Sequence, residues 1–177
     1  MDVKKEIESI QNELVEIRRH LHAHPEQSWH EFETQAYIIN YLEKLGIPYV
    51  KSTKSGVIAT IKGPHSSDKI LGIRADIDAL PITELGTCEY KSKNEGTMHA
   101  CGHDTHITIL LGTAKILAKM KDELTITVRL LFQPAEEKID DSGAYYMKED
   151  PLVKECSRLI ALHIWSKIPV GCASLRY

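Results

Sequence analysis

The string Met98-His99-Ala100-Cys101-Gly102-His103-Asp104-Thr105-His106 sets a thiol, three imidazoles and a carboxylate within eight residues, His99 to His106. Thiolate sulfur and imidazole nitrogen are the donors that borderline-soft divalent metals prefer. Gly102 lets the backbone fold tightly between Cys101 and His103. A coordinated thiol gives up its proton to the metal, and a thiolate can bridge two cations. The bland alternative, a buried small cysteine beside a core histidine, gives no reason for so dense a set of donors. Asp104 is placed to support a ligating imidazole from behind, and His106 to orient the loop. His99 carries a weaker signal.

Three other strings carry groups of the same chemistry. Phe132-Gln133-Pro134-Ala135-Glu136-Glu137 ends in adjacent carboxylates. Side chains of neighbouring residues point in different directions, so one can bind metal while the other takes a proton from water. Taken alone, the pair reads more readily as the solvated acidic start of a helix. Arg74-Ala75-Asp76-Ile77-Asp78-Ala79-Leu80-Pro81 offers two carboxylates at a spacing of two, on one face of an extended chain. One of them could hold a ligand or orient water; Asp caps at a strand-end turn explain the spacing equally well. His163, in Leu162-His163-Ile164-Trp165, lies in an apolar stretch where a lone histidine is more often a hydrogen-bonded core residue than a ligand. Together these groups point to metal-dependent hydrolysis.

The elements around them follow from hydrophobic period. Val3, Ile7, Ile10, Leu14, Ile17 and Leu21 recur at spacings of four and three, which predicts a helix over residues 3–23 ended by Pro25. A second helix is expected over 31–45, with Phe32, Ala36, Ile39 and Leu42 on one face and Gly46 as its stop. Short β-rich runs at 57–61 and 70–75 flank a turn-rich segment. Residues 84–98 are polar and irregular, which suits a loop beside a site. A helix is expected from 105 to 121, a doubly buried strand over 124–132, a helix around 142–148, and strands over 158–163 and 170–176. Helices alternating with buried strands predict an α/β layered sheet. Both acidic strings then fall just past strands, where such sheets place their sites.

Composition narrows the class. The chain has 177 residues, enough for one good core, and a formal net charge of −3, which leaves no basic footprint for nucleic acid. No signal peptide and no stretch of membrane-spanning length are visible, so a cytoplasmic location is expected. The four cysteines have no regular spacing and read as reduced thiols rather than a disulfide framework.

Five strings occur in an order that closely resembles the N-acyl-amino-acid amidohydrolases, the branch of the dinuclear metallopeptidases that includes hippurate and indoleacetyl-amino-acid hydrolases. They are His22-Ala23-His24-Pro25-Glu26, the Arg74–Pro81 string, Met98 to Asp104, Phe132 to Glu137, and Leu162 to Trp165. The resemblance implies two divalent metal ions (zinc, manganese or cobalt) bridged by Cys101, with His103, Glu137 and His163 as terminal ligands. It implies Glu136 as the general base and Asp78 beside the metals. The substrate class would be small N-acyl amino acids or peptides, cleaved at the amide bond to a carboxylic acid and an amino acid. Members of this family usually follow the glutamate pair with a glycine-rich segment; here Lys138-Ile139-Asp140-Asp141 intervenes. They are also longer. The resemblance therefore makes residues 1–177 the N-terminal part of a catalytic domain, without the lid and dimerisation domain or the remaining catalytic part, which supplies one more histidine ligand. On that reading the isolated chain is inactive and prone to self-association. A rival reading is a metal-binding remnant without turnover. A thiol redox protein is disfavoured, because Cys101 has no resolving cysteine near it in sequence.

Overall fold

The computed structural model describes residues 1–175, over which the chain forms six α-helices and five strands. In chain order these are α1 (Val3–Ser9), α2 (Gln11–Ala23), α3 (Phe32–Lys44), β1 (Tyr49–Ser52), β2 (Gly56–Ile61), β3 (Ile70–Asp76), α4 (His103–Lys119), β4 (Thr127–Gln133), α5 (Gly143–Met147), α6 (Pro151–Lys154) and β5 (Arg158–Ala161). The sheet order is β1-β2-β4-β3-β5. β1, β2 and β4 pair antiparallel, whereas β3 runs parallel to both β4 and β5. The expected α/β sheet is present, with an antiparallel edge.

Period-two alternation sorts the sheet's side chains onto two faces. Val57, Ala59 and Ile61 of β2 and Val128, Leu130 and Phe132 of β4 join the main core. Ile17 and Leu21 of α2, Ile38 and Leu42 of α3, and Ile107, Leu111 and Ala114 of α4 close that core from one side. The alternate residues Ile58 and Leu131 point the other way, onto Met147 of α5 with Leu152 and Val153 of α6. Both faces of β4 are therefore buried along its whole length. Burial of side chains as large as Phe132 and Leu130 stabilises each by roughly 1.5–3 kcal/mol.

Several boundaries differ from the sequence expectations for local reasons. The first helix divides at Ile10, where the Ser9 hydroxyl bonds back to the Glu6 carbonyl at 2.7 Å and bends the chain. α4 begins at His103, because Gly102 takes a left-handed conformation (φ 85°) and starts the helix there. A 3₁₀ turn over Lys121–Glu123 delays β4 to Thr127. β1 and α6 are too short, and β1 too exposed, to leave a periodic signal. The strand expected over 170–176 is absent from residues 170–175, where Gly171 (φ 84°) and a Cys172 N–H to Pro169 carbonyl bond form a turn. Arg176 lies outside the described residues. β5 ends at Ala161 and is exposed throughout. Among the described residues no helix is long and apolar enough to cross a membrane.

Candidate metal centre

Three parallel strands bring their carboxyl ends to one edge of the sheet. β3 ends at Asp76 and β4 at Gln133, a registered pair. On the other side Ala161 of β5 pairs with Arg74, so His163, two residues further, falls level with Asp76. The start of α4 and the two residues before it meet this edge with Cys101, Gly102 and His103. Side chains from sequence positions far apart thus meet where a parallel sheet leaves its crevice.

His103 is the hub. Its ring is fully buried, and Asp76 and Asp78 bracket it. The Nδ1–H donates to the Asp78 carbonyl at 2.9 Å; because that oxygen can only accept, the neutral ring keeps its lone pair on Nε2. That Nε2 is buried with no hydrogen-bond partner. Around it stand carboxylate oxygens of Asp76 at 3.6 Å, Glu137 at 3.7 Å and Glu136 at 3.9 Å. The Glu137 Oε1 facing it is likewise buried and unpartnered. A lone pair and carboxylate oxygens converging at these distances, unbonded to one another, are a donor set that could hold a cation. His103 accordingly belongs to three groups of converging donors: with Cys101 and His163, with Asp76 and His106, and with Glu136 and Glu137.

Cys101 Sγ lies 3.4 Å from His163 Nε2. His163 Nδ1 donates to the Ile164 carbonyl, so the lone pair of the neutral ring lies on Nε2, facing the Cys101 sulfur. Burial pushes the Cys101 thiol up to about 12, helped by Glu137 and the charges of Glu136 and Asp76. Only a local cation would make it a thiolate at neutral pH. Burial alone would lower His103, but Asp78, Asp76 and Glu137 outweigh it and raise the imidazole above its ordinary value. Burial raises Glu136, as do the neighbouring charges of Asp76 and Glu137. Burial would also raise Asp76 and Asp78, yet their histidine partners hold both below the usual carboxylate range.

The predicted site residues Asp78, Cys101, His103, Glu136, Glu137 and His163 therefore meet in one place. The glutamate pair does not open a helix; it sits on a bend, and the Glu137 N–H donates to Asp78 Oδ2 at 2.9 Å. One expectation needs correction. Asp104 backs no imidazole of this centre: it faces α2, taking His22 Nδ1 at 2.7 Å and Arg18 Nε at 3.0 Å. His163, read as a ligand with a core position as the alternative, is exposed. His99 is buried with both ring nitrogens unpartnered, outside the donor groups. Asp76 and His106 contribute more than spacing showed. His106 Nδ1–H donates to Asp76 at 2.5 Å, and its Nε2 accepts the Ile164 N–H at 3.0 Å, which ties the His163 segment to α4. The spacing of three between His103 and His106 was the available signal, since it puts both rings on one helix face.

Known proteins resemble this chain in sequence and in fold. The chain is 38% identical over 177 residues to the N-acyl-L-amino acid amidohydrolase of Geobacillus stearothermophilus, covering 99% of this chain and 47% of that protein. It is 44% identical over 171 residues to the N-acetyl-L-cysteine deacetylase of Bacillus subtilis, covering 96% of this chain and 40% of the relative. The crystal structure of the Bacillus subtilis YXEP protein, described as a dinuclear metal-binding peptidase of the M20 family, superposes with a TM-score of 0.87 at 42% identity. That superposition covers 93% of this chain and 46% of the other. The chain spans less than half the length of these relatives. Residues 72–176, which carry every side chain of the converging site, match peptidase family M20/M25/M40, and the chain belongs to that family.

Proposed function

We propose that this chain carries the metal-binding part of an amidohydrolase that cleaves the amide bond of N-acyl amino acids or small peptides. The observation that carries the reading is the buried, unpartnered Nε2 of His103, faced by three carboxylates while its Nδ1 is committed to the Asp78 carbonyl. The names of the relatives support the substrate class. Cys101, His103, Glu137 and His163 would hold two divalent cations; zinc, manganese and cobalt all suit this donor set. Bound there, such cations polarise an amide carbonyl and acidify water.

The chain's own groups divide the remaining work. Glu136 is the more open of the two glutamates, with a side chain 38% exposed against 20% for Glu137. Its raised carboxyl makes it a better proton acceptor than an ordinary glutamate, so it takes the proton of the attacking water at Oε2 and passes it to the leaving amine. Asp78 holds the His103 ring and the Glu137 backbone in register. Asp76, through His106, holds the segment of His163. Residues 1–177 make up one part of the catalytic domain. The exposed apolar side chains Leu159, Ile160, Ile164 and Trp165 beside His163 leave that flank open to water and to self-association. On its own the chain therefore binds metal without efficient turnover.

Calorimetric titration of zinc, manganese and cobalt into the purified chain tests the site, and a hydrolysis assay on hippurate and N-acetyl amino acids tests the chemistry. Metal uptake that disappears in Cys101→Ser supports the centre. No uptake by the wild-type chain would refute it, and efficient turnover by a monodisperse monomer would refute the partial-domain reading.

A further inference from the structure

Glu31 belongs to none of the converging donor groups, yet its side chain is completely shielded from solvent. It sits just before α3 but does not bond the free N–H groups of that helix; Glu26 accepts those of Glu33 and Thr34. The Glu31 carboxylate instead reaches across to the turn after β4. Its Oε1 accepts the Ala135 N–H at 2.8 Å, and its Oε2 accepts the Ser55 hydroxyl at 2.6 Å. Ala135 has φ 48°, a left-handed conformation that a residue with a Cβ holds only when its surroundings impose it. The turn is pressed from the other side by Gly143, whose N–H bonds the Ala135 carbonyl and whose place admits no Cβ, which would lie 2.0 Å from the Pro134 oxygen. One residue beyond Glu136, the Glu137 N–H is taken by Asp78. The backbone on each side of Glu136 is thus gripped by a different buried carboxylate.

We propose that Glu31 is a positioning residue for the acidic pair: by holding the strained Ala135 turn it aims Glu136 and Glu137 at His103. This rests on the metal-centre reading above. Both Glu31 oxygens are used by neutral donors, and burial pushes its carboxyl up, with the Asp78 charge adding to the effect. A neutral clamp should therefore serve. In Glu31→Gln the amide oxygen can accept the Ala135 N–H and the amide nitrogen can donate to Ser55. In Glu31→Met the volume is kept but no acceptor remains, and the Ala135 N–H is left unbonded in the interior.

Zinc or manganese is titrated calorimetrically into the wild type, Glu31→Gln, Glu31→Met and Ser55→Ala, and each metal-free protein is melted. Glu31→Gln should match the wild-type affinity. Glu31→Met should bind about 10- to 100-fold more weakly, the usual loss when the support behind a ligand is removed. Ser55→Ala should lose thermal stability and keep its affinity, a divergence that a merely structural role for Glu31 would not produce. Should Glu31→Met fail to fold, amide exchange in the metal-free wild type decides: the Ala135 amide should be protected like those of β4. Wild-type affinity in Glu31→Met, equal losses in the Gln and Met variants, or loop-like exchange at Ala135 would each overturn this inference alone. A wild-type chain that takes up no metal would overturn the metal centre and this inference with it.

Discussion

Replacing Gly102 with alanine separates two demands that this glycine meets. Its φ of 85° is a left-handed conformation, and an added Cβ would lie 2.2 Å from Ile164 Cδ1 and 2.8 Å from Cγ1. The backbone term costs about 1–2 kcal/mol. For a chain of this size each kcal/mol lowers the melting temperature by about 2–4 °C, so Gly102→Ala should melt about 2–8 °C below the wild type. The steric term acts elsewhere. The clashing atoms are the tip of a flexible side chain, so Ile164 gives way rather than α4. Ile164 follows His163 directly, and its N–H holds His106. Its displacement carries His163 Nε2 away from the Cys101 sulfur, and metal affinity should fall by about 10- to 100-fold. The double variant Gly102→Ala/Ile164→Ala removes both clashing atoms. It should recover the affinity of Ile164→Ala alone while keeping the lower melting temperature. Calorimetric titration and thermal melts on the four proteins read out the two terms. Undiminished affinity in Gly102→Ala, or no recovery in the double variant, would refute the coupling between Gly102 and His163.

Metal content should fall in Cys101→Ser, whose hydroxyl keeps its proton at neutral pH, and stay unchanged in serine variants of Cys88, Cys156 and Cys172; elemental analysis distinguishes them. In a catalytically complete enzyme Glu136→Gln should retain metal and lose about 10²–10⁴-fold in turnover, whereas Glu137→Gln should lose metal first; the reverse pattern would exchange their roles. Metal binding should tighten as pH rises, because the cation must displace the proton that burial holds on Cys101 and competes with protons for the His103 imidazole, which its carboxylate neighbours raise; titrations in buffers of different ionisation enthalpy should detect net proton release. Asp104→Asn should destabilise the fold by about 1–3 kcal/mol, since the amide removes the charge that faces His22 and Arg18, although His22 keeps its contact with Glu84. His22 is raised chiefly by its bond to Asp104, so the charged pair stabilises fully below the ordinary imidazole range and fades as pH rises through the raised one; the gap between variant and wild type should be larger at pH 6 than at pH 9 in denaturant melts.

The sheet was legible where burial enforces a period. β2, β3 and β4 pack on both faces or along one, and their side chains record it. β1 was invisible because its middle residues face solvent and nothing constrains their type. The density of donors around Cys101 and His103 announced a site, but which neighbour supports which imidazole depends on direction around α4. Asp104 is one residue, and so about 100° of helix, beyond His103, which turns it toward α2. His106, a near-full turn on, stays beside His103. Glu31 could not be found from pattern at all. It reads as an ordinary acidic residue opening a helix, and its role follows from a partner more than a hundred positions away.

The strand connectivity also carries a consequence for how the site comes into being. Leu71 pairs with Val128 and with Arg158, so β3 waits for two successive stretches of chain to return to it. Closing such loops costs entropy before any contact repays it, and parallel pairings of this separation form late. β5, exposed along its length, has the least apolar contact to hold it once docked. The donors His103, Glu136 and Glu137 are assembled by β3, α4 and β4, whereas His163 arrives only with β5. A cation that engages both sets binds the docked state more tightly than the undocked one, and mass action then favours docking. The ion would thus act as the final fastener of the sheet, and the edge strand would be the part of the molecule whose order rises and falls with metal supply.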